Sequence, residues 1–418
     1  MNSQDELIER LTRFYREAGG EVSSLPPAWV PGKRRTARWL QPALASVVLV
    51  ALAVGLAVTI RIVREEAHRK ITPFPIPSAS QSPSPSVSAT PLSSWITRRV
   101  PIGPVVAMSL DSAAIFALYA PAPTSGGIDP SKIGLARIDR ATGAVTTTGG
   151  FPYAKTMARV TAGLWVAAGP GIGDGTVAAD TRWLTLVDPV TLSIKQRVHL
   201  PAQADPGTFA APQLAGASNL LWLGYGHSLY RLDPTTGRIV LTESLPGTAT
   251  SISIDPSGHW PDPSSHWLYV GVEVTPSQNS QDLVVEWDAL TGTRLASAPT
   301  GGLGLGGPHV AAAADGVWIS YATGMMGAVE HRSATDLSML VGPQTGHTNG
   351  IRVYVGGGAL WFVDAGAGRL ACADLRTGTP AASSQESSPA AVVADGNGSY
   401  LGDFDGVGFL RPDPSCPH

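Results

Sequence analysis

Apolar positions in this chain fall in short runs from about residue 110 onward, each run broken by Gly, Pro, Asp or Ser. Most runs hold one aromatic residue. Leu164-Trp165-Val166-Ala167, Leu221-Trp222-Leu223-Gly224, Leu268-Tyr269-Val270-Gly271, Val317-Trp318-Ile319-Ser320 and Leu360-Trp361-Phe362-Val363 are the clear copies. Ile115-Phe116-Ala117-Leu118 and Ser399-Tyr400-Leu401-Gly402 are weaker copies at the two ends. Four copies are followed by an Asp with Thr three positions on and then Gly, at Asp139 to Gly143, Asp233 to Gly237, Asp288 to Gly292 and Asp374 to Gly378. Asp188 to Thr191 lacks the Gly, and the fifth copy carries Arg332 where the Asp is expected.

The aromatic anchors are spaced 49, 57, 47, 49, 43 and 39 residues apart. That period is typical of propeller blades, each a sheet of four strands that buries its faces against its neighbours. The third unit reads as strands at 220–224, 228–232 and 238–244, with Gly226-His227 as the tight turn between the first two. Asp233 is suited to accept turn amides through its carboxylate, and Gly237 to take a positive φ. The Asp-x-x-Thr-Gly element is therefore expected to build turns. Seven units predict a seven-bladed, all-β propeller; six or eight blades also fit, because the first and last units are degenerate. Ser94 to Ile102 resembles the strand that follows the turn in other units, and the last unit stops just after Asp413. The N-terminal strand is thus expected to complete the C-terminal blade and remove two open sheet edges.

The recurring Leu-Trp-Val-Ala element followed by Asp-x-x-Thr-Gly is similar to the YVTN-type and quinoprotein-like β-propellers of bacteria, over residues 96–418. The resemblance implies the architecture. It leaves activity open, because that group holds binding and scaffold proteins as well as some lyases and dehydrogenases.

The first 95 residues have a different pattern. Residues 39–60 carry no charge and are long enough to cross a hydrocarbon core of about 30 Å. They begin late, and no small-x-small cleavage site precedes Arg61, so an uncleaved transmembrane helix is expected rather than a cleaved signal. Four basic residues flank each side (Lys33, Arg34, Arg35 and Arg38; Arg61, Arg64, Arg69 and Lys70), so charge near the membrane does not orient the span. Arg10, Arg13 and Arg16 tip residues 1–38 toward the cytoplasm. Residues 61–94, a charged juxtamembrane stretch and a Pro/Ser-rich linker, suit an extended spacer outside a bacterial membrane. Residues 95–418 then form an extracytoplasmic propeller on a single-pass anchor. Within 1–38, Ser3 to Glu6 is a capping box, and Leu7, Ile8, Leu11, Phe14 and Tyr15 follow at helical spacing. This amphipathic helix has three open readings: a cytosolic protein partner, the membrane surface, or a transient helix.

The chain has two cysteines, Cys372 in the sixth unit and Cys416 three residues after Asp413. In an exported domain they are expected to form a disulfide that pins the C-terminal tail at the ring closure; two unrelated thiols are the alternative. Two cysteines without a clustered His pair supply too few ligands for zinc.

Candidate chemistry is sparse. The net charge of −3 gives no basic footprint for nucleic acid. Gly302 to Gly307 formally matches G-x-G-x-x-G, but no helix is expected to follow it. Asn397-Gly398-Ser399 sits in a tight turn. Propellers commonly bind ligands at one mouth of the central channel, near the starts of the innermost strands. Arg159, Gln213, Thr250, His309, Asn349 and Arg352, with Pro389, are placed there. This mixed set lacks the carboxylate and His pairs of acid–base catalysis, so no catalytic residue, metal or cofactor is assigned. His309 is expected to be a partly solvated turn residue. Glu330-His331 is expected on an outer strand facing solvent, and His259, Asp262 and His266 on a solvated insertion from Asp255 to His266. The reading is a membrane-anchored, non-catalytic ligand- or protein-binding module, a sensor or envelope scaffold. The alternative is an exported propeller enzyme, a lyase or quinone-dependent dehydrogenase.

Overall fold

In the computed structural model of the protein, the residues whose structure is described are 90–91, 94–121, 128–169, 181–201, 211–255, 266–274, 281–302, 306–348, 350–385, 389–411 and 416. The expected N-terminal helix, the span at 39–60, most of the 61–94 linker, Asn349, and His259 and Asp262 lie outside them. Among the described residues no helix is long and apolar enough to cross a membrane.

Seven antiparallel sheets form the ring. The innermost strands are Val105–Leu110, Ala154–Val160, Gln213–Ala217, Thr248–Ile254, His309–Ala313, Ile351–Gly356 and Ala391–Asp395. Each lies beside the next, and the last lies beside the first, so the ring is closed. Blades are numbered one to seven in that order. Ile96–Val100 pairs with Val407–Leu410 as the outermost strand of blade seven, as the sequence predicted. Thr90–Pro91 adds a fifth, parallel strand to blade six, beside Ser384 and Gln385. The end of the expected linker is thus part of a sheet.

Each blade buries both faces, so the core is divided into layers, one between each neighbouring pair of blades. Trp222 and Leu229 of blade three pack with Leu268 and Val285 of blade four. Tyr400 and Phe409 of blade seven pack with Ile115 and Ile138 of blade one. Trp165, Trp222, Trp318 and Trp361 are each less than 2% exposed. Burying a side chain of that size is worth roughly 2–3 kcal/mol.

The two repeating elements meet across the blade boundaries. Asp233 Oδ1 accepts from the Thr236 amide at 2.7 Å and the Thr236 hydroxyl at 3.0 Å, which fixes the turn. The residue after this Asp turns its carbonyl to the Trp of the preceding blade. Trp165 Nε1 donates to Pro234 at 2.8 Å, Trp222 Nε1 to Ala289 at 3.0 Å, and Trp318 Nε1 to Leu375 at 3.0 Å. Gly237 has φ +65, and a Cβ there would lie 2.7 Å from Trp165. The Gly is thus required by backbone angle and by the ring packed on it.

The fifth unit corrects the sequence reading. Ser333, not Arg332, occupies the Asp position: its amide donates to the Ser338 carbonyl, and its own carbonyl accepts from the Leu337 amide at 3.1 Å. Leu337 and, in the second unit, Leu192 take positive φ where Gly stands elsewhere, and both side chains are buried. Apolar burial there holds a conformation that Gly adopts without strain.

The closure carries polar and covalent ties. Arg140 of blade one donates to both carboxylate oxygens of Asp395 in blade seven, at 2.7 and 2.6 Å, and to Tyr400 Oη at 2.8 Å. The ion pair holds the Asp395 carboxyl below its ordinary range and the Arg140 guanidinium above its own. Cys372 and Cys416 form the expected disulfide, with Cα atoms 5.7 Å apart, packed against Trp95 and Trp361.

Candidate functional site

All seven inner strands line a central cavity of about 460 Å3. Its wall is mainly Val, Ala, Ser, Ile and Leu, because the inner strands must pack closely side by side. Polar groups concentrate toward the mouth at which those strands begin, here the proximal mouth. Lys155 of blade two, Gln213 of blade three, His309 of blade five, and Arg352 and Tyr354 of blade six all line the cavity. Among the described lining residues there is no Asp or Glu.

His309 opens its strand rather than sitting in a turn. Its ring lies 5.3 Å from that of Tyr354, tilted by 54°. Burial and then the Arg352 charge push its pKa down to about 3, so the imidazole is neutral near pH 7. Its Nδ1 is buried without a hydrogen-bond partner among the described residues. Tyr354 Oη donates to the Ala390 carbonyl of blade seven at 3.3 Å. Burial raises the Tyr354 pKa, opposed by Arg352. Arg352 itself is exposed. This corner offers hydrogen-bond donors and positive charge, and among the described residues no carboxylate stands beside the imidazole to orient it as a base.

Of the residues expected at this mouth, the structure brings together Gln213, His309 and Arg352. Asn349 lies outside the described residues. Thr250 is not in the cavity wall: its hydroxyl donates to the Pro308 carbonyl at 2.7 Å and ties blade four to blade five. Arg159 stands at the end of its strand, Ala154–Val160, and so at the opposite, distal mouth. There its Nε donates to Asp111 Oδ2 at 3.1 Å. Burial raises the Asp111 carboxyl, while the Ala113 and Ala114 amides and Arg159 bring it net below its ordinary range. Lys155 and Tyr354 were missed. A proline shortly before the inner strand marks its start at Pro104, Pro152, Pro212, Pro308 and Pro389. That marker puts Lys155, not Arg159, at the proximal mouth of blade two.

Glu330 and His331 do not face solvent. Both are 1% exposed, on the third strand of blade five. Glu330 accepts from Tyr321 Oη at 2.9 Å and Arg332 Nε at 2.6 Å, so the three form a buried network toward blade four. His331 stacks on Trp318, with ring centroids 4.4 Å apart. The outward expectation failed because this hairpin packs both faces, and Arg332 supplies the countercharge that lets a Glu be buried. Neither residue reaches the cavity. His266 Nδ1 lies 3.0 Å from the Asp255 carbonyl. Among the described residues no three His, Cys, Asp or Glu are grouped to hold a metal ion.

No protein-family model matches this chain, and no curated protein matches it. Several solved structures are similar in fold. A hydrazine synthase of Kuenenia stuttgartiensis is 12% identical with a TM-score of 0.52, over 76% of this chain and 97% of that one. BamB from Moraxella catarrhalis is 15% identical with a TM-score of 0.47, over 75% of this chain and 85% of that one. The computationally designed Ika8 protein is 13% identical with a TM-score of 0.47, over 76% of this chain and 98% of that one. At these identities the likeness concerns the fold alone.

Proposed function

We propose that the protein is a non-catalytic binding module: a propeller of the YVTN-type or quinoprotein-like kind, carried outside a bacterial membrane on the 39–60 span and the Pro/Ser-rich linker. Its central cavity takes a ligand, and the N-terminal helix passes the bound state to a cytosolic partner or holds the protein in an envelope assembly. The observation that carries the reading is the make-up of the proximal mouth. A neutral His309, Arg352, Lys155, Gln213 and Tyr354 converge on a cavity of small-ligand size. Binding needs such convergent donors in an apolar surround. Acid–base catalysis needs in addition a carboxylate or a second titrating group aligned with the imidazole. The lyase or dehydrogenase reading has no such pair in the described wall.

The test is a small-molecule screen of the full-length protein in a neutral detergent, read by thermal shift. Compounds that raise the melting temperature of the wild type are expected to leave Gln213→Trp, in which an indole fills the mouth, unshifted. They are expected to remain chemically unchanged after prolonged incubation. Turnover of a bound compound would move the protein to the enzyme reading. Equal shifts in both forms would place binding elsewhere.

A further inference from the structure

The exposed apolar side chains of the ring are gathered at one end. Of the thirteen large apolar side chains exposed among the described residues, nine lie on the outermost strands of blades one to five or in the turns that lead into those strands. Val145, Ile194, Val240, Leu295 and Leu340 represent the five blades in order, with Val190 and Leu290 in the adjoining turns. Ile128, Met325, Met326 and Phe404 are the four that stand elsewhere. The inner strand of each blade ends at the distal mouth and the four strands alternate in direction, so each of these outer strands starts on the distal side. The nine residues thus form a band along the distal rim. Toward their proximal ends the same strands expose polar side chains: Arg197 and His199 in blade two, Thr242 and Ser244 in blade three, Ser297 in blade four and Thr345 in blade five. Single scattered apolar residues on a surface need no explanation, but a one-sided band marks a contact.

Two features identify what covers the band. It spans five consecutive blades of seven, most of the ring's circumference. A continuous plane meets such an arc at once, whereas a compact protein partner reaches only the few blades that face it. The arc is open at blades six and seven, where the chain enters. Thr90–Pro91 runs parallel to the outer strand Pro380–Gln385 of blade six, and so from the distal toward the proximal side. The chain therefore arrives at the ring from the side on which the band lies. Interfacial surfaces also set basic side chains beside apolar ones. Arg238 is exposed directly before Ile239, and Arg294 directly before Leu295. The Asp188, Asp233 and Asp288 carboxylates on the same rim accept the amides of their own turns.

Resting on the reading of the protein as membrane-anchored, we infer that the distal rim of the propeller lies on the surface of a lipid bilayer, with the apolar band of blades one to five at the boundary of headgroups and acyl chains. Arg238 and Arg294 lay their apolar stems along that boundary and turn their guanidinium groups to lipid phosphates. The proximal mouth of the cavity then opens away from the bilayer, toward water.

The test is electron paramagnetic resonance on the full-length protein reconstituted into bilayers of phosphatidylcholine and phosphatidylglycerol. A nitroxide on Val240→Cys probes the band. One on Met325→Cys, at a 93% exposed position in the proximal hairpin of blade five, is the reference. The native disulfide leaves the introduced thiol as the labelling site. Oxygen concentrates in the apolar layer and a water-soluble nickel chelate is kept out of it. The ratio of oxygen to chelate collisions is therefore expected to be at least about threefold higher at Val240 than at Met325. Adding Ile239→Asp and Leu295→Asp is expected to bring the two ratios together. Both positions are exposed, so this variant is expected to melt with the wild type, and a melting curve checks it. Equal ratios at the two labels, in protein that floats with its vesicles on a density gradient, overturn the inference and leave the anchor standing. A raised ratio that the two Asp substitutions do not lower overturns it as well. Protein that does not float removes both the anchor and the rim contact. Spin–spin broadening at Val240 with the label open to the chelate assigns the band to a second copy of the chain and overturns the lipid contact.

Discussion

Trp222 of blade three donates its indole N–H to the carbonyl of Ala289 in blade four, at 3.0 Å. That bond joins the two recurring elements of the sequence: the aromatic anchor of one blade and the Asp-led turn of the next. The same bond recurs from Trp165 to Pro234 and from Trp318 to Leu375. The turns are thus more than connectors, because each presents a fixed acceptor to the neighbouring blade.

Trp222→Phe keeps most of the packing but loses the donor, and is expected to cost about 1–2 kcal/mol. Trp222→Ala also leaves a cavity and is expected to cost about 3–5 kcal/mol. Gly292→Ala should destabilise by at least about 1 kcal/mol, since its φ is +77 and an added Cβ would collide with Leu241 while lying 3.4 Å from Trp222. Urea denaturation of each variant measures these costs. A fully stable Gly292→Ala would mean that the turn relaxes away from the indole.

Glu286 is 1% exposed between blades four and five. Burial, and then the Asp336 charge, raise its pKa to about 7. The unfolded chain releases this proton near pH 4.5, so between about 4.5 and 7 the folded state binds more protons than the unfolded one. Stability attributable to this group therefore falls as pH rises through that window and is flat above it, by on the order of 3 kcal/mol at most. Glu286→Gln should abolish this part of the decline, raising the melting temperature relative to wild type more at pH 8 than at pH 5. An equal difference at both pH values would show that the carboxyl is not held protonated.

The disulfide fastens the C-terminal tail of the ring to blade six across a sequence separation of 44 residues. Cys372→Ala with Cys416→Ala is expected to lower stability by about 2–4 kcal/mol, through the entropy returned to the unfolded chain and the loss of buried contacts. Denaturation of the double variant, and of wild type with and without reductant, measures this. Reductant that leaves the wild-type curve unmoved under unfolding conditions would contradict the bond.

Much of the architecture was legible because a repeat states each packing rule several times. Trp165, Trp222, Trp318 and Trp361 announce the second strand of their blades. Asp139, Asp233, Asp288 and Asp374 announce the turns, and Ile96 to Val100 fits the missing strand. Where the motif is written once, the reading slipped. Ser333 does the work of Asp without resembling it, and Leu337 takes the place of Gly. The cavity wall was half legible: Gln213, His309 and Arg352 lie where a strand start was expected. Arg159 was put at the wrong mouth because an inner strand buried on both faces gives no alternation to fix its register, and only Pro152 marks where it begins. The burial of Glu330 and His331 depends on Arg332, Tyr321 and Trp318 reaching them from neighbouring positions, which a linear pattern does not encode.

The proposed ligand site is the cavity at the ring's axis. Diffraction from crystals soaked in 4-bromobenzoate, recorded at the bromine absorption edge, tests it most directly. An anomalous peak is expected inside the ring, and its loss in Gln213→Trp crystals. Peaks confined to the outer strands or loops, with the axis empty at the same concentration, would contradict it.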